Sequence, residues 1–305
     1  MHKMEKVMVC ANLLIGDSGG LAMAPDVLRQ FYKDKISALG NALERAHSLG
    51  ADRCVIAGGL FAAGFVPQSF LESAVSELRS HGLPVTWLPL QGEATDLASR
   101  VAIPELLTVE RDVNKLDVPG LTVLHGCRGI EVALNCAEGP QRRLLDPLEP
   151  LGFGDMATAN FLMLEISDGV VGKVDVVPSA FHPFIQRVIN VTKLSSSKKL
   201  RKATEEAIDG LEPKTCLHLS LRGCAPLSSY FNAVELQRVL NERFFFAEVL
   251  NECSVDCSGF DAQSDVSLMA EFIGLVEGDD TLSLVEKARI ERCGWNALNG
   301  KDLVE

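Results

Sequence analysis

The chain has 305 residues, a net charge of −12, and 47% hydrophobic against 23% charged side chains. This is the composition of a globular protein with a substantial core, in one large domain or two ordinary ones. Such an acidic chain is excluded as a general nucleic-acid coat protein, and no apolar stretch approaches the roughly 18–20 residues of a membrane span.

The N-terminus, MHKMEKVMVCANLLIGDSGG, places basic residues before an apolar run, as a signal peptide does. The run is broken by Asn12 and leads to no small-residue cleavage site, so residues 5–16 read as a first β-strand with its exit loop. A cytoplasmic location is the expectation. Residues 26–49 carry Val27, Leu28, Phe31, Ile36, Leu39, Ala42, Leu43 and Ala46 at helical spacing, and Gly50 is a natural stop. CVIAGGLFAAG at 54–64 is an apolar strand followed by a glycine-rich corner without a charged side chain. Pro67 opens a helix predicted over 67–81, and VTWLPL at 85–90 is a third strand. The order β-α-β-α-β predicts an α/β fold with parallel strands.

Short strands and turns follow over 106–146, among them LTVLHG (121–126) and IEVALN (130–135). FLMLEI (161–166) and KVDVV (173–177), joined through Asp168-Gly169, read as a β-hairpin. The character changes at 185–195. A helix after a serine cluster, an alternating strand at 215–223, a second helix at 232–242 and FFFAEVL at 244–250 suggest a separate α+β domain. The tail, 265–305, reads as two helices with Gly278-Asp279-Asp280 at the turn. One stripe is Val266, Met269, Phe272, Ile273 and Val276; the other is Leu282, Val285 and Ala288. The nine cysteines are odd in number and scattered, which fits reduced thiols rather than a disulfide framework. Cys253 and Cys257 are spaced too widely for C-x-x-C, which argues against zinc.

Three strand corners carry a family resemblance. Ala11-Asn12-Leu13-Leu14-Ile15-Gly16 stands where S-D-x-H-L-G is found, Ala57-Gly58-Gly59-Leu60-Phe61-Ala62 where A-G-D-L-F-D is found, and Pro89-Leu90-Gln91-Gly92-Glu93 where P-G-N-H-D is found. Val132 to Gln141 is similar to a V-A-L-G-H-x-H-x-P-Q segment, and residues 146–166 to the stretch after it. On these stretches the chain resembles the SbcD-type nucleases of DNA double-strand breaks, a branch of the calcineurin-like metallophosphoesterases. The resemblance implies a trimmed metallophosphoesterase-like α/β sandwich over 1–183, a capping-like α+β domain over 184–260 and a helical segment over 261–305.

That family clamps a phosphodiester between two metal ions held by Asp, His and Asn ligands. The matched positions here are Asn12, Leu14, Gly59 in place of the bridging carboxylate, Gln91, Gly92, Cys136 and Glu138. The resemblance thus implies a degenerate site: no catalytic residue, no metal and no cofactor. His125 in VLHG is the one candidate surviving ligand, although a strand-end histidine satisfied by hydrogen bonds is the commoner case. Asp17, Glu93, Asp96 and Glu138 are acids that a weak cation site would draw on.

Arg187, Lys193, Lys198, Lys199, Arg201 and Lys202 form a basic cluster on an acidic chain. Four of them sit in the first turn of a predicted helix, ahead of Glu205, Glu206 and Asp209, against the macrodipole. A solvated face explains many charge runs; this order points instead to phosphate contact, hence to DNA. In the resembled family the helices after the cap dock on a coiled-coil ABC ATPase of the SbcC or SMC type. Phe272, Ile273, Leu282 and Val285 are the candidate contacts for such a partner. The expected function is a non-catalytic, DNA-engaging adaptor of that ATPase, in DNA-break processing or antiviral defence. The alternative is a divergent metal-dependent nuclease with a site remodelled around His125, Glu93 and Glu138.

Overall fold

The computed structural model describes residues 4–62, 66–89, 97, 99–126, 129–154, 158–192, 194, 196–226, 232–256 and 267–298. Gln91, Gly92, Glu93, Asp96 and Lys193, and the side chains of His125 and Val285, lie outside that description. The chain divides into two compact units, Met1–Phe184 and Ile185–Glu305, and the fold is mixed α/β.

The first unit opens with β1 (Met4–Ala11), α1 (Pro25–Ser48), β2 (Arg53–Ala57), α2 (Gln68–Ser80), β3 (Val85–Leu88) and β4 (Leu107–Val109). β1 to β4 pair in parallel, in the spatial order β4-β3-β2-β1. These strands are apolar on both faces because both faces are covered. Met8, Cys10, Cys54, Ile56 and Trp87 pack under the helices with Leu39 and Leu43 of α1 and Leu71 and Val75 of α2. Val7, Val9, Ala11, Val55 and Ala57 face the other way, into a second core.

That second core is closed by an antiparallel meander of β5 (Leu121–Gly126), β6 (Gly129–Cys136) and β7 (Gly139–Leu144), through Val123, Ile130, Val132 and Leu134. β8 (Asn160–Ser167) runs antiparallel beside β1 and turns into β9 (Val170–Pro178). The turn residues Asp168 and Gly169 both have positive φ, 50° and 75°. A two-residue hairpin requires that backbone, and the Asp-Gly pair tolerates it. The result is helices on one face of a twisted sheet and a β-meander on the other.

In the second unit β10 (Phe184–Asn190) precedes α3 (Ser197–Ile208), β11 (Cys216–Pro226), α4 (Ala233–Asn241) and β12 (Phe246–Asp256). The sheet order is β10-β11-β12, with β11 and β12 parallel over their whole length. Leu217, Leu219 and Leu221 alternate toward a core shared with Leu200, Ile208 and Leu240. α5 (Leu268–Glu277) and α6 (Leu284–Leu298) follow, and α6 packs on β12 as well as on α5. Among the described residues no helix is long and apolar enough to cross a membrane.

Candidate functional site

The corners after β1 and β2 lie side by side at the C-terminal ends of the parallel strands. Asn12 and Leu14 both adopt the left-handed backbone, with φ of 39° and 49°. Asn tolerates that conformation; for leucine it is a strained one. The strain persists because surrounding bonds hold it. The backbone N–H groups of Leu13 and Leu14 donate to the carbonyl of Gly59 at 2.9 and 3.2 Å. The Asn12 side-chain oxygen in turn accepts from the Gly59 N–H at 3.0 Å. Gly58, at φ +83°, donates to the Leu88 carbonyl, and its own carbonyl accepts from the Trp87 indole N–H at 3.0 Å.

The space at Gly58 is filled. A Cβ added at Gly58 would stand 2.1 Å from Ile130 Cδ1 and 2.4 Å from Asn12 Oδ1. Leu13 and Leu60 are buried beside it, at 1% and 0% exposure. Among the described residues the two loops are stitched by amide hydrogen bonds and covered at Gly58 by a β6 side chain, without a carboxylate or imidazole. Among the described residues no three His, Cys, Asp or Glu side chains gather as a metal-binding group.

Cys136 and Glu138 are not near Asn12. Met4 pairs with Ser167, Ser167 with Val170, and Cys136 with Val171, so the end of β6 stands level with the beginning of β1. Glu138 is exposed in the β6–β7 turn at that far end. β6 begins at the opposite end, where Ile130 covers Gly58 and pairs with His125. The backbone of VLHG therefore ends beside the corner, whereas the segment matched by sequence ends a strand length away from it. Asp17 lies in the loop after β1 and accepts from the Gly19 N–H.

A second polar site, unmarked in the sequence reading, lies next to that loop. Lys35, 1% exposed, donates from Nζ to the carbonyls of Leu14 at 3.2 Å and Asp17 at 2.9 Å. Its ammonium also sits 5.0 Å from the Phe31 ring centre. Burial pulls Lys35 down to about 8, opposed by the negative charges of Asp17 and Glu149. Glu149, 0% exposed, accepts from the N–H groups of Phe181 and His182 at 2.9 Å. Burial pushes it up to about 7 against those hydrogen bonds and Lys35. The His182 ring nitrogen Nε2 lies 2.9 Å from Asp34 Oδ2. A lysine mid-helix and a glutamate in a Pro-Leu-Glu-Pro turn carry no periodic signal, so only the tertiary contacts identify them.

In the second unit Lys198, Lys199, Arg201 and Lys202 are all exposed on α3, opposite its buried residues Leu200, Thr204 and Ile208. Ser196 caps the helix by accepting from the Lys199 N–H. Arg187 does not belong with them. Its Nε donates to the Ala207 carbonyl at 3.1 Å, at the other end of the helix; the separation from Lys199 is roughly 12 Å along the axis. Arg201 and Glu235, the latter in the first turn of α4, line one groove between the helices, and Arg243, just past α4, bonds to Glu205 at 2.7 Å. These pairs ascend both helices together, so α3 and α4 run parallel with their N-termini at one end.

On the helical pair, Ile273 is 4% exposed and packs with Met269, Val255 and Trp295, so Met269, Ile273 and Val276 of the stripe chosen from sequence face inward, and Val266 lies outside the described residues. A helix keeps its continuous apolar stripe for its own core. Phe272 and Leu282 do reach a groove of about 550 Å³ between α5 and α6, with Ile290, Cys293, Gly294 and Ala297. Leu268, Leu275 and Leu284 stand exposed at 66%, 71% and 78%. No protein-family model matches the chain, and no curated protein matches it.

Proposed function

We propose that the chain is a non-catalytic, SbcD-like subunit with a degenerate metallophosphoesterase-like domain. It serves as a structural and DNA-engaging adaptor of a coiled-coil ABC ATPase of the SbcC or SMC type, in DNA-break processing or antiviral defence. The observation that carries this reading is the corner itself. Asn12 and Gly59 bond to each other where the resembled family would hold metal, and Ile130 fills the space above Gly58. Two-metal phosphodiester chemistry needs hard oxygen and imidazole ligands around an open position. A loop pair retained with a strained Leu14 but closed by amides fits selection for shape.

The DNA-engaging part rests on Lys198, Lys199, Arg201 and Lys202, gathered at the end where the parallel helices α3 and α4 begin. Exposed cations beside two positive helix termini suit phosphate contact. The partner part rests on the α5–α6 groove and the exposed leucines around it, a surface suited to a helix laid in a groove. The position of Glu138, far from Asn12, speaks against the remodelled-nuclease reading.

The test uses the purified chain. It is expected to carry no stoichiometric manganese and to leave linear and hairpin DNA uncut, while capturing an SbcC-type ATPase through residues 267–298. Manganese-dependent cleavage that is lost in His125→Ala would overturn the non-catalytic reading. Failure of the ATPase to bind, with the chain folded, would overturn the adaptor role.

A further inference from the structure

The network around Glu149 has no part in the adaptor reading above. A fully buried carboxyl here receives backbone N–H groups, near a fully buried lysine amine. The carboxylate holds the strap of residues 178–184, which follows β9 and leads to the second unit. Ser179 ties the same strap through its hydroxyl to the Leu148 carbonyl. Among the described residues the charges acting on Glu149 are Asp34 and Lys35 from α1; His182, on the strap, meets it with its backbone N–H and turns its ring to Asp34. Asp17, on the loop after β1, acts on it through Lys35. Aromatic packing encloses the strap. Phe31 lies 5.8 Å from His182 and 6.3 Å from Phe184, and Phe153 lies 5.1 Å from Phe184.

We propose that Glu149 is a proton-operated latch on the strap 178–184, tight when its carboxyl is neutral and loosest when Glu149 and Lys35 are both charged. The sign follows from linkage. Glu149 stands near 7 in the closed state and returns to its ordinary range when the strap opens and water reaches it. The closed state therefore gains as pH falls from about 7 toward 4.5, and that gain is absent above 7. Lys35, lowered to about 8, acts in the opposite sense: the closed state gains as pH rises from 8 toward 10.5. The strap is thus most easily opened between pH 7 and 8.

Amide exchange on the full chain, corrected for the intrinsic rate, tests this at the Phe181 and His182 N–H groups. Protection should be about twentyfold greater at pH 5.5 than at pH 7.5 and rise again above pH 8. Glu149→Gln should abolish the acid-side slope while leaving the rise above pH 8, and Lys35→Met should abolish that rise. A flat wild-type profile from pH 5.5 to 7.5, or an unchanged slope in Glu149→Gln, overturns the latch. Should the variant fail to fold, the carbon-13 titration of the wild-type Glu149 carboxyl decides. A midpoint near 7 supports the proposal, and one at the ordinary glutamate value overturns it.

Discussion

The side-chain oxygen of Asn12 lies 3.0 Å from the backbone nitrogen of Gly59, so the loop after β1 is closed on the loop after β2 by a neutral amide contact. Both backbone groups of Gly59 are engaged, since its carbonyl also receives the N–H groups of Leu13 and Leu14. Asn12→Ala removes one acceptor and strands a donor in a packed corner, a loss of about 1–3 kcal/mol. Asn12→Asp keeps the acceptor and a residue tolerant of positive φ, and is expected to lose under about 1 kcal/mol by the same reasoning. Urea midpoints of the two variants measure the difference; equal midpoints would remove the Asn12 contact from the explanation.

Gly58 has a different reason for its identity. Its φ of +83° and the 2.1 Å approach of Ile130 Cδ1 to a virtual Cβ make Gly58→Ala both strained and overpacked. A loss of about 2–4 kcal/mol is expected from the two effects together. Adding Ile130→Val removes the clashing methyl but neither the backbone strain nor the Asn12 contact, so thermal denaturation should show partial rescue. Complete rescue would mean that packing alone decides this position.

Lys35→Met leaves Glu149 without its nearest positive charge and the Leu14 and Asp17 carbonyls without their donor. With Lys35 gone its lowering effect on Glu149 goes too, so the carboxyl moves further up and is only partly charged at pH 7.5; a loss of about 1–3 kcal/mol is expected, chiefly from the two carbonyls left without their donor. At pH 5.5 Glu149 holds its proton in both proteins, and the loss should be smaller by about 0.5–1 kcal/mol, a figure from linkage. Denaturant melts at the two pH values check this, and an equal loss at both would contradict the charge argument.

The basic residues separate into two roles. On the proposed DNA-engaging reading, Lys198, Lys199, Arg201 and Lys202 to Ala should weaken duplex DNA binding and flatten its salt dependence by about 3.6 in the log–log slope. Arg187→Ala should leave that slope unchanged and lower stability by about 0.3–1 kcal/mol, because its guanidinium bonds a carbonyl at the C-terminal end of α3. Fluorescence anisotropy across a salt series reads both variants. An equal effect of Arg187→Ala on the slope would place it back among the DNA contacts.

Local chemistry made much of the first unit legible. The β-α-β-α-β order foretold parallel strands, and helical spacing with Gly50 foretold α1. Asp168-Gly169 foretold a tight hairpin, because few other pairs accept positive φ twice. The second unit's strand and helix order was likewise readable, since each element carries its own period. What sequence spacing alone misplaced was whatever depends on strand direction. Cys136 and Glu138 follow an apolar run just as a corner motif does, but β6 runs away from the corner, which the register from Met4 through Ser167 to Val171 decides. Ile273 lies on the apolar stripe as expected, yet that stripe is spent on the core, leaving Leu268 and Leu275 outside. Arg187 is close to Lys198 along the chain, and a helix length separates them in space.

The sequence by itself determined the elements, their order and the absence of a carboxylate or imidazole at Asn12, Leu14 and Gly59, because these are properties of single residues and their near neighbours. Only the tertiary structure decided that Asn12 bonds Gly59, that Ile130 seals the space above Gly58, and that Lys35 and Glu149 share one buried network. Those contacts join residues from 47 to more than a hundred positions apart, as Asn12 and Gly59 already show at the near end. They exist because packing brings strand ends and loops together, which no local pattern encodes.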